Sequence, residues 1–367
     1  MRGEKRLIKI GVAVVLILLL LTSFLAGACA PKPEEWPKIL ITTAIPKQVV
    51  TFGAYYSPAK VLGWFEDERI NVSIENVAPA IGWAMVADGD AQAVVLAPEF
   101  LLNTEAKGQK TGMVMAYQFY TRPWFWLAVT KNSPITDVSQ LKGKKIGLGS
   151  MGPPHLPNLE LYLREGGLTS DDVELVAIGS GLVGVQALDS GEIDVFQSIA
   201  GEFGTFERQG FDIRYLPEPA LYDTLFGPCV YIHQRTIDDP VLQEAMGKYF
   251  RTLAKSALFI QHNPEAMVRL QWEAVPEGKP TGISEQEAFD TAMNTLRIVQ
   301  KYTVKNVATQ KWGVITLEAV TAYADYMGVT DKIPHLNSLI TDVFTETMND
   351  WDEEELIKFA KSYTYKE

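Results

Sequence analysis

ALDSGEIDVFQSIAGEF, residues 187–203, runs from a helix end through Gly191 and an acid into a short apolar strand, and an earlier stretch has the same pattern. That stretch is AMVADGDAQAVVLAPEF, residues 84–100. Downstream, TEAKGQKTGMVMAY and FERQGFDIRYLPE both read as helix, glycine, strand. Gly89 to Gly108 spans 19 residues, and so does Gly191 to Gly210. Agreement at both glycines argues for two α/β lobes built on related plans.

Working outward, strands are predicted at KILITTA, VSIENV, AQAVVLA, GMVMAYQ, FWLAVTK, KKIGLGS, VELVAIG, IDVFQSI and DIRYLPE, separated by helical segments. This is the βαβ pattern of parallel sheets. NSPITDVSQLKGKK links the lobes, and the chain returns near LFGPCVYIHQRTIDDP. Beyond Asp239 the apolar residues recur every three or four positions in DPVLQEAMGKYFRTLAKSALFIQ, SEQEAFDTAMNTLRIVQKY, TLEAVTAYADYMG and PHLNSLITDVFTETMND. These are expected to be helices covering the first lobe. The expected division is lobe 1 at 38–130 plus 229–367 and lobe 2 at 131–228. Two crossings make a hinge, and a cleft between lobes is a usual place for a ligand.

The N-terminus is not part of this fold. Arg2, Lys5, Arg6 and Lys9 precede an apolar run from Ile10 to Leu21, and small residues lead to Cys29, so residues 1–28 are expected to be a signal peptide and 29–37 a tether. The segment before Cys29 resembles a bacterial lipobox, with Ala26 where such boxes usually carry leucine. Lipidation at Cys29, ordinary cleavage and an uncleaved anchor all place the domain outside the cytoplasm, and lipidation, the expected outcome, holds it at the outer face of the cell membrane. Removing the signal takes away four basic residues and one acid, moving the net charge from -12 to -15. That balance disfavours nucleic acid. Cys229 then stands alone, with no disulfide available, and is expected to be a buried apolar residue.

KGKKIGLGSMGPPH, residues 142–155, carries Gly147, Gly149 and Gly152 at the spacing of a dinucleotide loop. The next strand ends in Ile178, Gly179 and Ser180 rather than an acid, and Pro153, Pro154 and Pro157 remove amide donors a pyrophosphate would use. A polar loop for another ligand, or a turn alone, remain as readings. The four histidines lack metal-ligand spacing, there is no nucleophile elbow or phosphate loop, and no catalytic residue, metal or cofactor is expected. Tyr55, Tyr56 and Ser57 open a helix with Pro58 suited to its first turn; they read either as ligand contacts or as core and cap. Glu99 ends a strand and could pair with a protonated nitrogen or sit in solvent. Of the aromatics in AYQFYTRPWFWLAV about half should be core, and Arg122 could reach an anion if it faces a cleft.

YYSPAKVLGWFEDERINVSIENV, ADGDAQAVVLAPEFLLNTEAKGQK, VTKNSPITDVSQLKGKKIGLGS and ALDSGEIDVFQSIAGEFGTFERQGFDIRYL resemble, in order, the blocks of extracytoplasmic solute-binding proteins of ABC importers. The branch is the one serving thiamine-pyrimidine precursors, alkanesulfonates, taurine and nitrate. The resemblance covers roughly Lys38 to Gln261. It implies a two-lobed α/β type II periplasmic-binding-protein fold with a double-crossover hinge and a helical C-terminal tail. It also implies partners: a small-molecule solute, an ABC permease and its ATPase, and the membrane through a lipid anchor, the protein itself being a monomer. By family position the ligand loops fall on Thr42, Thr43, Tyr55, Tyr56, Ser57, Pro98, Glu99, Tyr117, Gln118, Ser150, Met151, Ser180, Gly181, Gln197 and Ser198. The family's pyrimidine synthases carry a cysteine-rich motif that this sequence lacks. Glu99 and the aromatic residues favour a nitrogen heterocycle, such as a thiamine-type pyrimidine or a flavin. A sulfonate, taurine, nitrate or an aromatic carboxylate stays open if Arg122 faces the cleft.

Overall fold

Ala93 and Val95 lie on one face of their strand, Val94 and Leu96 on the other, and all four are buried. Side chains alternate across a strand, so a run apolar at every position must be covered on both faces. Each face joins its own core: Ala93 and Val95 pack with Ile39, Ile41 and Val230, whereas Val94 and Leu96 pack with Met115, Tyr231 and Leu101. Both cores continue into the second half of the chain, through Phe196 and Val185 in one and through Ile146 and Val195 in the other.

The computed structural model describes residues 35–44, 49–152 and 154–366, and Pro37–Glu367 forms one compact unit. The expected signal peptide and Cys29 lie outside the described residues. In chain order the strands are β1 Lys38–Thr43, β2 Asn71–Asn76, β3 Ala93–Leu96, β4 Met113–Gln118, β5 Phe125–Thr130, β6 Lys145–Leu148, β7 Glu174–Ala177, β8 Val195–Ile199, β9 Ile213–Tyr215 and β10 Cys229–His233. They form two five-stranded sheets, ordered β2-β1-β3-β10-β4 and β7-β6-β8-β5-β9. The two orders are the same, with a strand from the crossing chain in fourth place each time. The duplicated glycines occupy equivalent turns, with φ of +94° and +78° at Gly89 and Gly108 and +76° and +92° at Gly191 and Gly210. Side chains other than hydrogen pay a steric cost in that region, which explains the repeated spacing.

Four expectations need correction. The lobe boundary at residue 130 falls too late, because β5 pairs with β8 and β9 and so belongs to the second sheet. The sheets are not wholly parallel: β10 runs antiparallel to β3 and β4, and β5 antiparallel to β8. The tail does not cover the first lobe alone. Helix Glu285–Gln300 packs against helix Ala200–Arg208, with Ala288, Ala292, Met293 and Leu296 in one core with Phe203 and Phe206. Aromatic rings on the outer face of the second lobe need cover, and this amphipathic helix supplies it. PHLNSLITDVFTETMND is not one helix either: it forms a turn at Leu336–Leu339, a bridge from Ile340 to Met115 and a short helix at Thr345–Asn349.

The two linkers between the sheets run side by side. Phe119 donates its amide to the Pro228 carbonyl at 3.1 Å, and Gly227 donates to the Tyr120 carbonyl at 2.9 Å. A Cβ on Gly227 would stand 2.5 Å from the Arg122 carbonyl oxygen and 2.9 Å from the Tyr120 Cβ. Since both obstacles belong to the neighbouring linker, Gly227→Ala is expected to push the crossings apart and cost about 1–3 kcal/mol. Denaturant unfolding of wild type and variant measures this, and an unchanged midpoint would show that the linkers yield.

Candidate functional site

Glu99 stands at a seam where the first lobe meets the second lobe and the tail. It follows β3 as the first residue of helix Glu99–Ala106, with Pro98 as cap, and is fully buried. Its Oε1 accepts a hydrogen bond from Asn158 Nδ2 at 2.8 Å and another from the Tyr323 hydroxyl at 2.9 Å. Asn158 comes from the second lobe, on the helix after β6, and Tyr323 from the tail helix Leu317–Tyr326. Glu99 Oε2 is buried without a hydrogen-bond partner. Burial pushes the carboxyl up to about 7, against the opposing pull of its own backbone amide, Tyr323 and Asn158. A helix N-terminus favours a carboxylate by only about 0.3–1 kcal/mol, so desolvation wins. Tyrosines surround the seam: Tyr231 donates to the Ala97 carbonyl at 2.9 Å, and Tyr222 and Tyr162 both donate to the Phe125 carbonyl at 3.0 Å.

The second lobe contributes a polar cluster. The Ser198 hydroxyl donates to Glu202, whose carboxylate also takes the Gly181 amide, and burial raises the Glu202 pKa. Gly181 has φ +76° and ψ −146°, a conformation open in practice only to glycine. Gln197 is fully buried and donates through Nε2 to the His155 carbonyl at 3.1 Å. The His155 ring packs edge-on to Phe125 at 5.1 Å, and burial lowers its pKa. Ser150, Met151 and Ser180 are exposed on the loops beside this cluster. A Cβ on Gly147 would collide with Ile193 at 2.4 Å, and one on Gly149 with the Ser180 hydroxyl at 2.2 Å. Packing therefore accounts for Gly147 and Gly149, whereas a Cβ on Gly152 would meet nothing within 4 Å.

Not every expected position reaches the seam. Thr42 donates to the Ala93 carbonyl of β3 at 3.3 Å, its hydroxyl lying against Gly82 of the neighbouring helix, and Thr43 is buried at the end of β1. Ser57 faces the tail, donating to Gln271 Oε1 at 2.5 Å, because helix Gly53–Val61 packs against helix Pro264–Ala274. Tyr56 lies against Phe65 with ring centroids 5.6 Å apart, and the Tyr55 side chain is outside the described residues. Tyr117 stacks on Phe250 at 5.4 Å, and the Gln118 amide donates to the Gly313 carbonyl at 2.8 Å, both turned toward the tail. Arg122 is held by Glu218 at 3.3 Å and Asp223 at 3.0 Å. Asn158, Tyr323, His155 and Glu202 were not foreseen. The one sequence signal for Asn158 is a polar residue on the apolar face of an amphipathic helix.

A family model described as "NMT1/THI5 like" matches residues 51–267. The chain belongs to the NMT1/THI5-like family. Solved structures similar to this NMT1/THI5-like chain include a protein of Bordetella bronchiseptica RB50, at 23% identity and TM-score 0.64 over 87% of this chain and 99% of that one. Another is a putative periplasmic sulfonate-binding protein, SsuA, of Methylobacillus flagellatus KT, at 18% identity and TM-score 0.59 over 86% and 94%. A third is the periplasmic aliphatic sulphonate binding protein SsuA of Escherichia coli, at 14% identity and TM-score 0.58 over 88% and 93%. A search of curated proteins gave no match. The likeness is one of fold, the two-lobed type II periplasmic-binding architecture.

The raised pKa of Glu99 has a sign. The folded protein holds a proton that the unfolded chain releases above the ordinary value of 4.5, so this group's contribution to stability falls as pH rises from 4.5 to about 7. At about 1.4 kcal/mol per unit the loss is on the order of 3 kcal/mol. Glu202 acts in the same direction. Glu99→Gln is expected to flatten most of the decline, as read from denaturant midpoints on either side of that window. Equal declines in wild type and variant would assign the titration to another group.

Proposed function

We infer that this protein is a solute-binding receptor which captures a nitrogen heterocycle, of the thiamine-pyrimidine or flavin kind, and delivers it to an ABC importer permease driven by its ATPase. The observation that carries the ligand class is the buried Glu99 carboxyl at the seam between lobes, one oxygen held by both sides and the other unpartnered. An amino group or ring N–H of a solute would complete it. Glu202 adds a second, half-buried acid, and Arg122 is spent on Glu218 and Asp223. An anion about 4 Å from an ionised Glu99 would meet roughly 4 kcal/mol of repulsion at an effective dielectric of 20. An alkanesulfonate, taurine, nitrate or an aromatic carboxylate is the second reading, favoured by the sulfonate-binding names of structural neighbours.

The same proposal places the chain outside the cytoplasm, with residues 1–28 as a signal peptide, Cys29 as the lipid-anchored residue and 29–37 as a tether, working as a monomer. A receptor is preferred to an enzyme on this scaffold such as a pyrimidine synthase. The remaining cysteine, Cys229, is buried with its thiol pushed well above the ordinary range. A thiol of that kind is a poor nucleophile.

A thermal-shift panel after denaturation and refolding tests the reading, with thiamine, its formylated aminopyrimidine precursor, riboflavin, taurine, alkanesulfonates, nitrate and aromatic carboxylates. A ligand at about a hundred times its dissociation constant adds roughly 2.7 kcal/mol. A shift by a heterocycle that Glu99→Gln abolishes is expected. Stabilisation by sulfonates, nitrate or carboxylates alone would overturn the role given to Glu99.

A further inference from the structure

Away from the strand ends, a cavity of about 540 Å³ lies between helix Pro264–Ala274 and helix Glu285–Gln300. Its wall joins three parts of the chain: Val50 from the first lobe, Gln209 from the second, and Trp272, Ala288 and Ala292 from the tail. The volume lies within the roughly 300–1,000 Å³ usual for small-molecule sites, and the lining is mostly apolar, as in such sites. Thr295 is one of the lining residues, and its hydroxyl oxygen is buried beneath that wall without a hydrogen-bond partner. A buried hydroxyl left unbonded costs free energy that a bound polar group would restore. Charges at the rim are engaged elsewhere. Lys279 pairs with Glu285 at 3.1 Å, and Glu287 takes the amide of Ser284 at 2.8 Å.

We propose that this cavity is a second binding site, for an uncharged aromatic molecule carrying one hydroxyl or amine that meets Thr295. The aromatic body packs on Trp272 and against Ala288 and Ala292, whose small side chains leave the room. An anionic ligand is disfavoured, since the charged side chain in the described lining, Glu287, is itself an acid. Because the wall includes both lobes, an occupant touches both and holds them in this arrangement. The site is independent of the seam at Glu99 and of the reading given to it.

The test is a fluorescence titration of the refolded protein with N-phenyl-1-naphthylamine, an uncharged aromatic amine whose emission rises in apolar surroundings. One saturable site per chain is expected. Ala292→Trp, which fills the cavity, should weaken binding at least tenfold, and Thr295→Val about fivefold. Circular dichroism reports whether each variant folds. Should Ala292→Trp not fold, Ile283→Asp at the exposed rim should weaken binding by a similar factor. Val307→Asp alters an apolar residue that is 79% exposed and is not part of the lining, and should leave binding within twofold. Absence of saturable binding, cavity variants that bind as wild type does, or equal loss in Val307→Asp would each overturn the proposal.

Discussion

One strand holds the two halves of this protein to a single arrangement. Cys229–His233 lies between β3 and β4, antiparallel to both, and is the last full strand of either sheet, with a single bridge at Ile340 beyond it. The first sheet is completed only after the second has been built, so the chain must cross twice, and the crossings lie close enough to exchange backbone hydrogen bonds. Non-local pairing of this kind closes a long loop before it gains contacts. The strand recovers that cost through full burial: Val230, Tyr231 and Ile232 each sit in one of the two cores.

The same geometry makes the seam. Glu99 after β3 and Asn158 on the helix after β6 meet in a region from which water is excluded. Polar groups there must satisfy each other. Glu99, Asn158, Tyr323 and Tyr222 do so largely as a network, and the second lobe solves the problem separately with Ser198, Glu202 and Gly181. The charge character is set by these acids rather than by Arg122, whose ion pairs help fasten the linker region instead.

Much of the architecture could be read from residues because its causes are local. Nine short apolar runs between turn signals became strands, and the paired glycines at 89, 108, 191 and 210 marked the duplication because each sits at positive φ. The inserted strand at 229 reads in the sequence only as a return of the chain, since antiparallel insertion is decided by partners more than a hundred residues away. The site was legible in part. Position at a strand end pointed to Glu99, but its partners lie 59 and 224 residues along the chain. Ser57 and Tyr117 follow the same rule of position and yet face the tail, because Gln271 and Phe250 reach them first. Strand ends say where a cleft forms; the tail decides which side chains remain to line it.

The tail has a mechanical consequence as well. Helix Glu285–Gln300 touches the turn Val50–Phe52 on one lobe and helix Ala200–Arg208 on the other, and Tyr326 reaches the Pro157 carbonyl on the far side. Any separation of the sheets must therefore slide one packed surface over another as well as bend two linkers. Sliding between helices proceeds by small repacking steps rather than free rotation. Shear of this kind would limit how far the lobes part and slow the release of whatever they enclose.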